Sequence, residues 1–231
     1  MIMLEKLTWH FYKGLDIFCL YDIFVIQAFF MDKLPLQDCE ERFRNDIFVK
    51  KEYDFGIPQK SSMVVVDIGA HVGLFSEYIY PKTKLIHAYE PSEGNMIRLK
   101  NRCLNQRLNH VVVHPVGVSA TWGVRSLYSN GIDGDFSIRY KNENFVNIPT
   151  ITIGDIFTEN NLDYVDLIKI DVEGAEEEIL NSESFAMYAK NIGSIVGELH
   201  SDVDIFKLRD RLASLGYKFR NINNIFSAIY G

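Results

Sequence analysis

Val64-Val65-Val66-Asp67-Ile68-Gly69-Ala70-His71-Val72-Gly73 decides the fold. A β-branched run ends in an acid and a glycine, and a second glycine follows four residues later, where a helical pattern begins. That is the signature of a strand turning tightly into a helix. Glycine in such a turn takes backbone angles closed to other residues and lets a ligand approach the main chain. Asp67, at the strand's carboxyl end, is placed to accept hydrogen bonds or attract an ammonium group.

The next strand ends in Ala88-Tyr89-Glu90-Pro91, with an acid about twenty residues beyond the turn, where a carboxylate can take both hydroxyls of a ribose. A nicotinamide dinucleotide needs the same acid, but its fingerprint is Gly-x-Gly-x-x-Gly, and Asp67 occupies the first glycine position. The substitution favours S-adenosylmethionine, which brings no pyrophosphate to the helix N-terminus. The expected cofactor contacts here are Asp67, Gly69, Ala70, His71, Gly73, Glu90, Pro91 and Ser92.

From Met63 onward, β-branched runs alternate with helical patterns, as in the βαβ units of a parallel sheet. Strands are expected over Met63–Ile68, Lys84–Tyr89, His110–Val118, Val165–Ile170 and Ile192–Leu199, and helices over Val72–Tyr80, Glu93–Gln106, Gly174–Ala189 and Asp202–Leu215. Tyr217–Arg220 and Ile225–Tyr230 flank Asn-Ile-Asn-Asn and read as a closing hairpin, since Asn tolerates positive φ. The fold class is therefore α/β, a doubly wound Rossmann-like sheet, mostly parallel with a C-terminal antiparallel hairpin. Residues 123–149, with Asn130, Gly131, Asp133 and Gly134, suggest one or two extra strands and a loop. Residues 1–62 form an N-terminal helical and strand appendage, ending in a strand over Phe48–Phe55, and residues 63–231 form the cofactor-binding domain.

Composition sets the bounds. The chain has 231 residues, 47% apolar and 24% charged, which suits one well-buried soluble domain with a small appendage. A net charge of −7 argues against a grip on nucleic acid. Cys19, Cys39 and Cys103 are widely spaced and odd in number, so no disulfide framework or metal site is expected and a reducing cytoplasm fits. No secretory signal is apparent. The aromatic stretch Leu15–Phe30 is broken by Asp16, Asp22 and Gln27, so it reads as a buried or amphipathic helix rather than a transmembrane segment. Trp9, Phe11, Tyr12, Phe18, Phe24 and Phe29 read as core or dimer contacts.

With these residues in view, the chain resembles the FkbM-type methyltransferases. DIGAHVG, AYEPSEGN, PVGVSA, PTITIGDI, LIKIDVEGAEEEIL and IVGELH carry the resemblance, in that order, from Val64 to Glu198. It implies a Rossmann-like methyltransferase fold, S-adenosyl-L-methionine as cofactor, further cofactor contacts at Gly117, Val118 and Asp171, and methyl transfer to a hydroxyl of a sugar, lipid-linked glycan or polyketide-like acceptor. The family usually has Asn at the position of His71 and Leu-Asp-Asp at Ile153-Gly154-Asp155.

Residues two apart on a strand share a face, so Lys169 and Asp171 point one way, as do Glu198 and His200. O-methylation needs a base for the hydroxyl proton. His200 or Glu198 is expected to supply it, Asp171 to orient the acceptor or the methionine amine, and Lys169 to stabilise oxyanion charge. A plain Lys169–Asp171 ion pair is the structural alternative. Glu176, Glu177 and Glu178 read as a solvated helix face, Glu173 as a helix N-terminal acid, and His114 as a hydrogen-bonded sheet residue. Two rival functions stand beside the methyltransferase: a non-catalytic binding protein on the same fold, and a nicotinamide-dependent oxidoreductase.

Overall fold

The computed structural model describes residues 37–129, 136–137, 144–200 and 203–231. The Leu15–Phe30 helix, the six early aromatics, and Asn130, Gly131, Asp133 and Gly134 fall outside the described residues. No described helix is long and apolar enough to cross a membrane.

Strand β1 (Met63–Ile68) lies at the sheet's centre, and its nearly unbroken apolar run follows from burial on both faces. It pairs in parallel with β2 (Thr83–Tyr89) on one side and β8 (Leu167–Ile170) on the other. Beyond them lie β3 (Val111–His114) and β9 (Ser194–Glu198), also parallel to their neighbours. The hairpin β10 (Tyr217–Ile222) and β11 (Ile225–Tyr230) closes the β9 edge antiparallel, giving the order β10-β11-β9-β8-β1-β2-β3. The direction of winding reverses between β1 and β8, where a crevice opens at the strands' carboxyl ends. Helix α2 (Leu74–Ile79) follows β1, and α3 (Glu93–Asn105) follows β2.

The expected strand over His110–Val118 is two strands in two sheets. β3 stops at His114, and β4 (Gly117–Val118) pairs with β7 (Phe145–Ile151) in a second sheet of order β4-β7-β5-β6, with β5 at Gly123–Ser129 and β6 at Phe136–Ser137. Pro115 explains the break, since it has no N–H for the ladder. The expected helix over Gly174–Ala189 is likewise two, α5 (Glu176–Asn181) and α6 (Glu183–Tyr188). Ser182 between them is extended at ψ 153 and its hydroxyl accepts from the Phe185 amide, so it caps a new helix. Helix α4 (Ile153–Glu159), absent from the sequence expectations, begins at a Thr152–Asp155 capping box. Helix α7 (Ile205–Ser214) leads into β10.

The strand expected over Phe48–Phe55 is not formed. Helix α1 (Gln37–Arg44) runs into a π-turn over Asn45–Lys50, left-handed Lys51 (φ 54) ends it, and a 3-10 turn follows at Asp54–Gly56. Apolar residues of this segment pack rather than pair: Tyr53 and Ile57 are buried in one cluster with Met63, Phe75 and Val196. The larger cluster, on the other side of the sheet, joins Val66 and Ile168 to Phe157, Phe185 and Leu212.

Candidate active site

A cavity of about 870 Å³ opens at the carboxyl ends of β1, β2, β8 and β9. Gly69 takes φ 72, and a Cβ there would lie 1.8 Å from the Asp171 carbonyl oxygen, so only glycine lets the β1 turn pass so close to the end of β8. The amides of Gly69 and Ala70 both donate to the Tyr89 carbonyl at 3.0 Å, which binds the turn to the end of β2. Gly73 serves packing instead: it takes φ 85, its Cβ would meet Leu99 at 2.3 Å, and it lies outside the cavity wall.

Glu90 is held by the backbone. The His71 amide donates to Oε2 and the Ser92 amide to Oε1, each at 2.8 Å. A carboxylate has about four acceptor sites, so both oxygens keep capacity for a ligand. Burial pushes this carboxyl up to about 7, although the Ser92 and His71 amides favour the charged form. Pro91 shares the wall, while Ser92 acts from behind it.

Asp67, read from the sequence as placed to accept hydrogen bonds or attract an ammonium group, lies behind the cavity wall. It is wholly buried, accepts from the Ser76 hydroxyl at 2.7 Å, and lies 3.7 Å from the Lys169 ammonium. Lys169 Nζ donates to the Gly69 carbonyl at 2.8 Å and stands 3.3 Å from Asp171 Oδ2. Burial opposes the charge on Lys169, but Asp171 and Asp67 outweigh it and raise its pKa. Burial likewise pushes Asp171 up, and Lys169 and His200 outweigh it, so its carboxyl stays below the usual range. Lys169 thus ties the β1 turn to Asp171.

His200 is not available as a base. Its Nδ1 lies 3.0 Å from Glu176 Oε1 and its Nε2 3.0 Å from Glu173 Oε2. Burial works against the imidazolium, but the two acids overcome it and push the pKa up to about 11. A ring holding both protons has no lone pair to offer. The solvated face expected at Glu176–Glu178 is also corrected. Glu176 is fully buried and accepts from the Val172 and Gly174 amides, and Glu178 pairs with Arg125. Glu198 does line the cavity, with one oxygen bonded by Asn224; burial, and then Asp171, raise it to about 7.

The cavity therefore brings together Gly69, Ala70, His71, Glu90, Pro91, Gly117, Val118, Lys169, Asp171 and Glu198, while Asp67, Gly73, Ser92 and His200 stand outside its wall. Two further wall residues escaped the sequence reading. The Tyr53 hydroxyl points to Asp171 Oδ2 at 3.4 Å, and Glu52 is raised to about 7 by burial, then Asp46 and Glu198. Neither belongs to a motif; only their nearness to the first core strand marked them. His114 pairs with His87, Nε2 to Nδ1 at 3.0 Å, on the neighbouring strand.

A backbone-held acid after β2, a glycine turn with an acid in place of its first glycine, and a closing antiparallel hairpin are features of the Rossmann-like methyltransferase fold. The model of the FkbM methyltransferase domain matches residues 67–219, and the chain belongs to that family, which uses S-adenosylmethionine. Methyltransferase sdnD of Sordaria araneosa is 28% identical over 172 residues, covering 58% of this chain. The match spans 65% of that relative's length, just under two thirds. Among solved structures, magnesium protoporphyrin IX methyltransferase from Synechocystis PCC 6803 aligns with TM-score 0.50 and 10% identity over 83% of this chain and 80% of that one. Precorrin-6y C5,15-methyltransferase from Geobacter metallireducens aligns with TM-score 0.48 and 14% identity over 76% and 84%. At such identities the first is a likeness of fold. The residues present fit the cofactor: Glu90 is fixed by two amides, Gly69 keeps the cradle open, and His71 Nε2 is buried without a hydrogen-bond partner.

Proposed function

We propose that the chain transfers a methyl group from S-adenosylmethionine to a hydroxyl oxygen of a sugar, glycan, lipid or polyketide-like acceptor. Glu90 takes the ribose hydroxyls, and Gly117 and Val118 line the adenosine side. Lys169 and Asp171 orient the methionine end and the acceptor oxygen. Bound there, the cofactor would supply an electrophilic methyl on its sulfonium, toward which these residues would line up the acceptor oxygen. Glu198 receives the hydroxyl proton.

The observation that carries the reading is Glu198 itself. It is a carboxyl that lines the cavity with Asp171; burial, and then Asp171, push it up to about 7, and a general base works best when its pKa lies near the operating pH. Residues ahead of Met63, among them Phe43, Glu52 and Tyr53, supply the acceptor wall. Cysteines without paired spacing support a cytoplasmic setting.

The test is transfer of labelled methyl from S-adenosylmethionine to panels of alcohols, amines and thiols, with the product bond identified by mass spectrometry. Label in a methyl ether, lost with Glu198→Gln, is the expected result. Label confined to amines or thiols would overturn the oxygen assignment.

A further inference from the structure

Glu52 enters the cavity wall from a segment that lies ahead of the matched family domain. That segment is fixed on both sides of it. The amides of Lys51 and Glu52 both donate to the Asp46 carbonyl, where the π-turn ends. Tyr53 is buried, with its ring edge-on to Phe75 and its hydroxyl donating to Asp171 Oδ2. The Ser194 hydroxyl donates to the Gly56 carbonyl at 2.6 Å, which ties the following 3-10 turn to β9. Lys51 holds φ 54, a left-handed conformation unfavourable for a residue with a side chain. Such strain persists only where the surroundings enforce it, and here it turns the chain so that Glu52 joins the wall.

The carboxyl arrives there without a partner. It is half-buried, and no hydrogen bond or ion pair reaches it among the described residues. Asp46, Glu198 and Asp171 bear on it with like charge, opposed more weakly by Lys50. Lys50 is itself paired with Asp46 at 2.7 Å and is largely exposed. Glu52 therefore meets repulsion within the fold, which leaves its position unexplained by folding stability. A carboxylate offers about four acceptor sites. Glu198 brings a second carboxyl to the same cavity, with one oxygen taken by Asn224. Two carboxyls from separate elements suit an acceptor with two donor groups, one at each.

We propose that Glu52 is a specificity-determining residue: it accepts a hydrogen bond from a second donor group of the acceptor, a hydroxyl or an ammonium, while the hydroxyl to be methylated lies at Glu198. The proposal rests on the oxygen-methyltransferase reading above and narrows it to polyols and amino alcohols, setting lone alcohols aside. A site built to bond a donor discriminates against the analogue that lacks it, because its own polar group is then left unmet.

The experiment measures methyl transfer from labelled S-adenosylmethionine to a panel of glycosides, each beside its monodeoxy and amino-deoxy analogues, and to long-chain and polyketide-like lone alcohols. Wild type is compared with Glu52→Gln and Glu52→Ala, and S-adenosylhomocysteine affinity and urea unfolding are measured for all three. Expected is a wild type that favours a glycoside or its amino analogue over the matching deoxy compound by about 10- to 100-fold in kcat/KM, carried mainly by KM. Glu52→Ala should treat the pair alike, and Glu52→Gln, which keeps one acceptor oxygen, should fall between. Loss of the discrimination, rather than an equal loss on both compounds, separates recognition from a structural role. S-adenosylhomocysteine affinity and folding stability should be undiminished in both variants. Preference for the amino analogue would identify the second donor as an ammonium, and preference for the parent glycoside as a hydroxyl. Wild type favouring lone alcohols, or undiminished discrimination in Glu52→Ala, would overturn the role of Glu52. No transfer to any alcohol by wild type that binds S-adenosylhomocysteine would instead remove the oxygen reading, and the proposal with it.

Discussion

Replacing Glu90 with Gln should remove the pH response of one buried group. Glu90 is 6% exposed, and burial raises its carboxyl from 4.5 to about 7. A group whose folded pKa is raised stabilises the fold fully below its unfolded value and loses that stabilisation as pH rises through the folded one. The rise is roughly 2.5 units, and at about 1.4 kcal/mol per unit the wild-type chain loses roughly 3 kcal/mol from this group between about pH 4.5 and pH 7.5. Gln does not titrate. It also sets an amide N–H against one of the His71 and Ser92 donors, a cost of about 1–3 kcal/mol at every pH. The two effects separate on the pH axis. Urea unfolding of both cofactor-free proteins across this range should give a stability difference that moves by about 3 kcal/mol in favour of Gln as pH rises. Glu52 and Glu198 titrate in both proteins and cancel in the difference. A difference that stays constant with pH would refute the claim that burial, incompletely offset by two backbone amides, governs Glu90.

Other consequences follow from the same geometry. Glu198→Gln should lower kcat by about 10²–10⁴-fold with S-adenosylhomocysteine affinity little changed, and the acidic limb of the rate profile near pH 7 should vanish; loss of affinity with unchanged kcat would place Glu198 in cofactor binding. Glu176→Ala strands His200 and the amides of Val172 and Gly174, so denaturant unfolding should show a loss of about 3–5 kcal/mol, whereas a loss under about 1 kcal/mol would mean the ion pair is structurally idle. Gly69→Ala drives a methyl into the Asp171 carbonyl and should abolish S-adenosylhomocysteine binding in any protein that still folds; retained affinity would show that the turn can yield.

The sheet was legible in the sequence because strands buried on both faces leave continuous apolar runs, and the closing hairpin because Asn223 and Asn224 mark its turn. Breaks were harder to read. Pro115 and Ser182 each interrupt an apolar pattern that continues across them, and pattern alone does not reveal where a chain changes sheet or starts a new helix. Glu90 and Gly69 were legible because each ends a core strand in a short local motif, although the partners that fix them, His71 and Asp171, come from the ends of other strands. The β8 and β9 side of the cavity depends on distant meetings. His200 is engaged on both ring nitrogens only when folding brings Glu173 and Glu176 to it, and Glu52 and Tyr53 reach the cavity from ahead of the first core strand. Glu176 shows the limit of composition: three consecutive acids look solvated until one carboxylate turns inward to bind the Val172 and Gly174 amides.

A cofactor seat built on Glu90 can be checked by calorimetric titration of folded wild type and Glu90→Ala with S-adenosylhomocysteine, run beside oxidised nicotinamide adenine dinucleotide. Wild type should bind the homocysteine nucleoside and not the dinucleotide, and Glu90→Ala should lose the binding while keeping its fold. Undiminished affinity in Glu90→Ala, or no binding by wild type, would contradict it.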